Sequence, residues 1–215
     1  NPDNIKMPDL GQIIFNDELF KETTTKQNTI IFSAFQMLKF FSLKFQNAIE
    51  IYEEDQKFDI SFMDEKGCSP SEIRLRIKDI LDQENILKQI IDKNNVGLFC
   101  AQTKAMKSLF LTAPGKCLSM IRMHIPIVTK RNLIEFDKNI KKAYNALKSE
   151  INDVPSFVNY IIAVDKYYEE INHISKHADM IKSFFSLAID QGTYISTDQQ
   201  NEFNELIPYL EEIKN

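Results

Sequence analysis

Tryptophan is absent from this chain, and turn-forming residues are scarce, with five glycines and seven prolines in 215 residues. That scarcity excludes a turn-rich sheet architecture and favours long uninterrupted helices. Cysteine is equally sparse: Cys68, Cys100 and Cys117 form an odd set without C-x-x-C spacing, so neither a disulfide framework nor a zinc module is indicated, and a reducing compartment fits. No long hydrophobic run exists. The most apolar region, residues 30–45, is broken by Gln36, Lys39 and Lys44, which excludes a membrane span, and no signal peptide precedes it. Basic charge is in deficit as well. A net charge of -5 argues against nucleic acid as the main partner, because phosphate binding draws on clustered Lys and Arg. The one basic stretch, Lys130, Arg131, Lys138, Lys141 and Lys142, reads as a solvated helix face balanced by acidic neighbours.

What is abundant is apolar residues at helical spacing, with 16 Phe and 7 Tyr among them. The chain reads as all-α: an elongated bundle of five or six long, partly kinked helices with coiled-coil-like packing. It opens at Asn1 without an initiator Met, and reads as a piece of something longer. Two regions are expected within one continuous domain, residues 1–95 with the N-terminal helices and residues 96–215 with the long-helix bundle.

Residues 1–10 read as an extended lead-in to a short helix near Gln12 to Lys21, interrupted by Thr23, Thr24 and Thr25. From Asn28 to Glu54 the pattern predicts one helix that is apolar over more than half its girth. One stripe is Ile31, Phe35, Leu38, Phe45, Ile49 and Tyr52; the other is Ile30, Ala34, Met37, Phe41, Ala48 and Ile51. Such a helix needs cover on several sides, and Phe32, Phe35, Phe41 and Phe45 are the candidate partner-binding residues.

Residues 59–67 read as a polar loop. Ser69, Pro70 and Glu72 then give a capping box with proline at the first helical position. The helix they start carries Ile73, Ile77, Ile80, Leu81, Leu87, Ile90 and Ile91 on its core stripe and ends at Asn94-Asn95. A short apolar segment, Val96 to Cys100, is the one place for a small paired strand. Thr103 can cap a helix that runs to Ile151, bent at Pro114 and Pro126, each of which removes a helical hydrogen bond. Asp153 and Pro155 open the next helix, which extends to Asp190 before Gly192. Its predicted seam is Phe157, Val164, Ile171, Ala178 and Phe185, with Ile161 and Tyr168 beside it, giving way to Ile174, Ile181 and Ala188. Ser196 to Gln199 cap a final helix.

Motifs for chemistry are weak. Glu170 and His173 have the E-x-x-H spacing of helix-bundle di-iron sites, but the required second copy is missing, since His124 has Ile121 three residues before it. Pro114-Gly115-Lys116-Cys117 lacks the Gly and the Ser or Thr of a phosphate loop. Neither Cys100 nor Cys117 has a predicted neighbour in His124 that would make a nucleophile. No catalytic residue, metal or cofactor is expected.

The order of features resembles the tail of axonemal, outer-arm-like dynein heavy chains, in the helical segment that leads into the linker. The residues that carry the resemblance are Met7-Pro8-Asp9-Leu10-Gly11-Gln12-Ile13, similar to P-x-L-x-x-I, and Val96 to Cys100 followed by Lys104 and Met106 to Leu109. Ile134 to Leu147, Ile162 to Phe185 and Tyr194 to Leu210 complete it. The chain departs from the family in having no Trp and only Pro208-Tyr209 where a Pro and Trp pair is usual. The resemblance implies a non-catalytic structural segment of a microtubule motor, mediating tail packing, subunit association and force transmission, with the ATPase ring elsewhere in the intact protein. It implies protein partners, namely other dynein heavy, intermediate or light chains in a large hetero-complex, no nucleic acid and no membrane, and a place in the cytoplasm, the cytoskeleton and the ciliary axoneme. The alternative is a stand-alone helical-bundle adaptor or tether subunit.

Overall fold

The computed structural model describes residues 9–65 and 68–214, so the Met7-Pro8 part of the lead-in and the Lys66-Gly67 end of the polar loop lie outside the described residues. The described chain is predominantly α-helical. Its helices are α1 (Leu10–Asn16), α2 (Glu18–Leu43), α3 (Gln46–Gln56), α4 (Pro70–Lys88), α5 (Lys104–Phe110), α6 (Thr112–Leu147), α7 (Val154–Asp190) and α8 (Thr197–Lys214). The strands β1 (Lys93–Val96) and β2 (Phe99–Gln102) form one antiparallel hairpin between α4 and α5.

Among the described residues eight helices replace the five or six expected: the boundary after the first short helix moves to Asp17, and two predicted helices divide. Asp17 caps a new helix by accepting from the Phe20 amide at 2.8 Å, which separates α1 from α2. The chain turns at Lys44-Phe45, which divides the predicted 28–54 helix into α2 and α3. A break at Leu111 separates α5 from α6, three residues before Pro114, whose absent amide cannot bond the Phe110 carbonyl. Pro126, by contrast, sits inside the continuous α6. The threonines do not interrupt α2. The hydroxyls of Thr23 and Thr25 donate to the carbonyls of Leu19 and Lys21 at 2.7 Å, a bond four residues back that satisfies the side chain within the helix.

Other signals fall where expected. At α4 the Ser69 amide donates to Glu72 Oε2 at 2.7 Å, and the Glu72 amide donates to Ser69 Oγ at 3.2 Å. At α7 the Ser156 amide donates to Asp153 Oδ1 at 2.8 Å, and the Asp153 amide to Ser156 Oγ at 3.0 Å. Gly192 closes α7 with φ +63°, while the Thr193 amide reaches back to the Ala188 carbonyl at 2.8 Å. The expected end of α4 at Asn94-Asn95 is not observed: the helix stops at Lys88 and both asparagines lie in β1.

Two compact units are drawn from alternating stretches of chain, Asn1–Glu54 with Asn85–Thr112, and Asp55–Glu84 with Ala113–Asn215. Each combines residues from both sides of the expected division at 95. In the first unit, Ala48 and Ile51 of α3, Leu87 of α4 and Phe110 of α5 are buried together, with Tyr52 and Phe110 rings 5.2 Å apart. In the second unit, one cluster joins Met63, Ile73, Ile77 and Ile80 to Ile121, Ile125 and Val128 of α6 and to Phe184 and Leu187 of α7. Another joins Leu133, Phe136 and Ile140 to Tyr167, Ile174 and Ile181 and to Phe203, Leu206 and Leu210 of α8. Met63 lies in a 3-10 turn, Ser61–Met63, so the predicted polar loop supplies a fully buried side chain. Of the positions predicted for the α7 seam, Ile174, Ala178, Ile181 and Ala188 in the second half are buried. In the first half the burial departs from the prediction: Phe157, Ile161 and Tyr168 are exposed and Tyr167 is buried instead.

Candidate interaction surface

The geometry of the first unit is set by the hairpin. Two residues, Gly97 and Leu98, connect β1 to β2, and Gly97 takes φ +59°, as the first position of such a turn requires. The turn lies against α2. A methyl group at Gly97 would come within 3.0 Å of Met37 Sδ and 3.8 Å of Ala34 Cα, and Ala34 is the buried residue of α2. The base of the hairpin is tied where the Thr103 hydroxyl donates to the Ile91 carbonyl and the Thr103 amide to the Asp92 carbonyl at 3.0 Å. Thr103 stands at the start of α5 but makes no side-chain cap bond, because its hydroxyl is used at the hairpin.

The candidate phenylalanines separate into two pairs. Phe41 and Phe45 are half-buried and meet edge to face at 5.1 Å. They line a groove of about 280 Å³ together with Ala48, Ile86, Ile90 and Ile91, with Lys44 the one charged residue in its wall. The Lys44 ammonium lies 5.9 Å from the Phe41 ring centre. Phe32 and Phe35 are on the outside, at 64% and 57% exposure; Phe35 touches the hairpin through Phe99 at 5.2 Å. Phe40 and Leu43 extend the uncovered face, and sequence spacing did not single them out. Among the described residues no carboxylate lies within ion-pair distance of Lys39 or Lys44.

The second unit has an uncovered apolar face of its own at the start of α7, where Val154, Phe157, Val158, Ile161 and Ile162 are exposed. The apolar pattern there was legible, but it reads as a seam until the neighbours are known.

Several titratable groups are engaged in contacts between elements of the second unit. Asp64 accepts from Arg131 Nη1 at 3.1 Å and lies 2.9 Å from His124 Nε2, and these contacts, His124 first, hold its carboxyl below the usual range. Arg131 Nη2 also donates to the Met63 carbonyl at 2.6 Å, so α6 grips the turn that carries Met63. His124 is therefore committed to Asp64. Burial pushes the Cys117 thiol up to about 11, with Asp55 adding to the effect, and its Sγ lies 3.5 Å from the Asp55 carbonyl. A thiol held protonated at neutral pH is a poor nucleophile. Burial lowers the pKa of His177, whose ring stacks edge-on against Phe136 at 5.6 Å. Among the described residues no three His, Cys, Asp or Glu side chains converge as a metal site, and no helix is long and apolar enough to cross a membrane. Pro114-Gly115-Lys116 lies in the first turn and a half of α6 with a helix, not a strand, before it.

No protein-family model matches the chain, and no curated protein matches it. The uncovered face of α2 is thus the feature on which a functional reading rests.

Proposed function

We propose that this chain is a non-catalytic structural segment of a microtubule motor, the tail of an axonemal dynein heavy chain ahead of its linker, acting through contacts with other protein chains. The observation that carries the contact function is α2: a 26-residue helix with Phe32, Phe35, Phe40 and Leu43 exposed and one buried residue, Ala34. Uncovered aromatic surface of this kind marks an interaction site rather than a solvated face. The hairpin at residues 93–102 falls where the resemblance calls for a short apolar strand before the helix of Lys104, which supports the family reading. The partners on this reading are other heavy, intermediate or light chains of the same motor complex, in the ciliary axoneme.

The second half of the proposal is an elongated bundle with coiled-coil-like packing. Its support is helix length: α7, with 37 residues, spans about 55 Å, while a compact 215-residue domain has a radius of gyration near 17 Å and a width of roughly 45 Å. Small-angle scattering that returns about 17 Å for the monomer would refute the elongated form. The dynein reading is tested by blotting the source cell with an antibody to this segment. A polypeptide many times longer than 215 residues, co-purifying with microtubules and released by salt or nucleotide, is the expected result; a band of the segment's own size sinks it and leaves a stand-alone adaptor.

A further inference from the structure

Of the three histidines, His124 is held by Asp64 and His173 is exposed, while His177 turns its ring into the packing of α7 on α6. The Nε2 atom of His177 is enclosed and has no hydrogen-bond partner among the described residues. Its ring meets Phe136 of α6 edge to face at 5.6 Å; Phe136 is fully buried and lies 5.9 Å from Phe203 of α8. Ile174, Ala178 and Ile181, around it on α7, are buried in the same cluster. Enclosure is the largest influence on the ring and favours its neutral form. Two titratable neighbours bear on it less strongly: Glu135 of α6, which favours a cation there, and His173 of α7, which opposes one. From α8 the layer receives the uncharged Phe203. A neutral imidazole can be kept in such a place at the cost of one unmade hydrogen bond. An imidazolium brings two N–H donors and a full charge to a position with no acceptor at Nε2.

We propose that the packing of α7 on α6 around His177 is a proton-sensitive latch, closed while the imidazole is neutral and released on acidification, when the charged ring leaves Phe136 to reach water. The inference concerns the second unit and is independent of the contact role of α2. The folded state holds the proton less well than the unfolded chain, where a histidine titrates near 6.5. The latch is therefore whole above 6.5 and weakens as pH falls from there to the lower folded pKa, below which the loss is complete. Within that window the open population rises about ten-fold for each pH unit. Opening uncovers Phe136 and the α8 residues packed with it, Phe203 first.

The test is hydrogen exchange at the amides of residues 174–188 in the 215-residue chain, from about pH 7.5 to about pH 5, with each rate corrected for its intrinsic pH dependence. Wild type is expected to open about ten-fold more often per pH unit below 6.5, relative to His177→Gln, which keeps a polar side chain but does not titrate. His177→Leu makes the same comparison with an apolar side chain, so the test survives a glutamine variant that does not fold. Glu135→Gln removes the neighbour that favours the cation and should deepen the acid loss. The ring signal of His177 in proton–carbon NMR, identified by its disappearance in His177→Gln or His177→Leu, should titrate below 6.5. A signal that titrates at or above 6.5 overturns the proposal, because the charged ring is then accommodated, as it would be by turning toward Glu135. Parallel loss of protection in wild type and both His177 variants overturns it as well, since the acid sensitivity then lies elsewhere.

Discussion

Replacing Gly97 by alanine adds one methyl group at a point where backbone and packing both resist it. At φ +59° an L-residue with a Cβ costs about 1–2 kcal/mol relative to glycine. The methyl would also lie 3.0 Å from Met37 Sδ, so that side chain must give by a few tenths of an ångström and be pushed off its preferred torsions, at a further cost of about 0.5–1.5 kcal/mol. Gly192 provides the control. Its φ is +63°, and a methyl there meets nothing within 4 Å, so Gly192→Ala should show the backbone cost alone. The reduced entropy of the unfolded chain favours alanine equally at both positions and cancels in the comparison. Gly97→Ala should therefore destabilise its unit by about 1.5–3.5 kcal/mol, and the excess over Gly192→Ala should disappear when Met37 is also truncated to alanine. Urea denaturation followed by circular dichroism gives the totals; hydrogen exchange at the amides of residues 93–102 localises the loss. A coupling between Gly97→Ala and Met37→Ala below about 0.5 kcal/mol would refute the packing of the turn against α2.

Further outcomes are expected elsewhere. Phe136→Ala removes a fully buried ring between α7 and α8 and should cost about 3–5 kcal/mol in thermal or denaturant unfolding of the second unit; a cost under about 1 kcal/mol would contradict its burial. Ser69→Ala should cost about 1 kcal/mol by removing half of the capping box, and Ser69→Asp should recover most of it. The pKa of Asp64 is lowered from its ordinary 3.8 in the folded state, so its contribution is complete above that value and is lost as pH falls through the folded pKa. The stability gap between wild type and Asp64→Asn should accordingly shrink on acidification below 3.8, and a gap that stays constant would exclude the Asp64 pairing with His124 and Arg131. For the thiols, intact-mass analysis after brief alkylation at neutral pH should show exposed Cys100 modified first, with Cys68 and Cys117 reacting only on unfolding. Equal rates at all three would contradict the burial.

Helix starts were legible because their causes are local. The Ser69 and Asp153 boxes and the Gly192 stop each involve residues within four or five positions of one another, so sequence spacing contains the whole interaction. The α2 threonines misled for a related reason: their hydroxyls favour caps and turns in general, and only a helix already formed offers the carbonyl four residues back. The side of α7 that is buried was not legible in its first half, since Phe157, Ile161, Tyr167 and Tyr168 are all bulky and the choice among them is made by α6 and α8. Met63 escaped because a single buried residue in a short turn has no period. At the candidate surface, the apolar excess of α2 could be counted from the sequence, but not which of the four named phenylalanines stay exposed, as Phe32 and Phe35 do. That Phe41 and Phe45 turn inward depends on α3 and the end of α4, which no spacing within α2 records.

The alternation of the two units along the chain has a consequence for synthesis on the ribosome. Once Thr112 has emerged, every segment of the first unit exists and it can close. Residues 55–84 emerge before that point but belong to the second unit. Met63, Ile73, Ile77 and Ile80 must wait, uncovered, until α6 and then α7 have been made. A nascent chain halted between residues 112 and 147 therefore displays a stripe of isoleucines beside a finished unit. Chaperones that recognise apolar helix faces should bind this protein most strongly at that length, and release it only when Phe184 and Leu187 arrive.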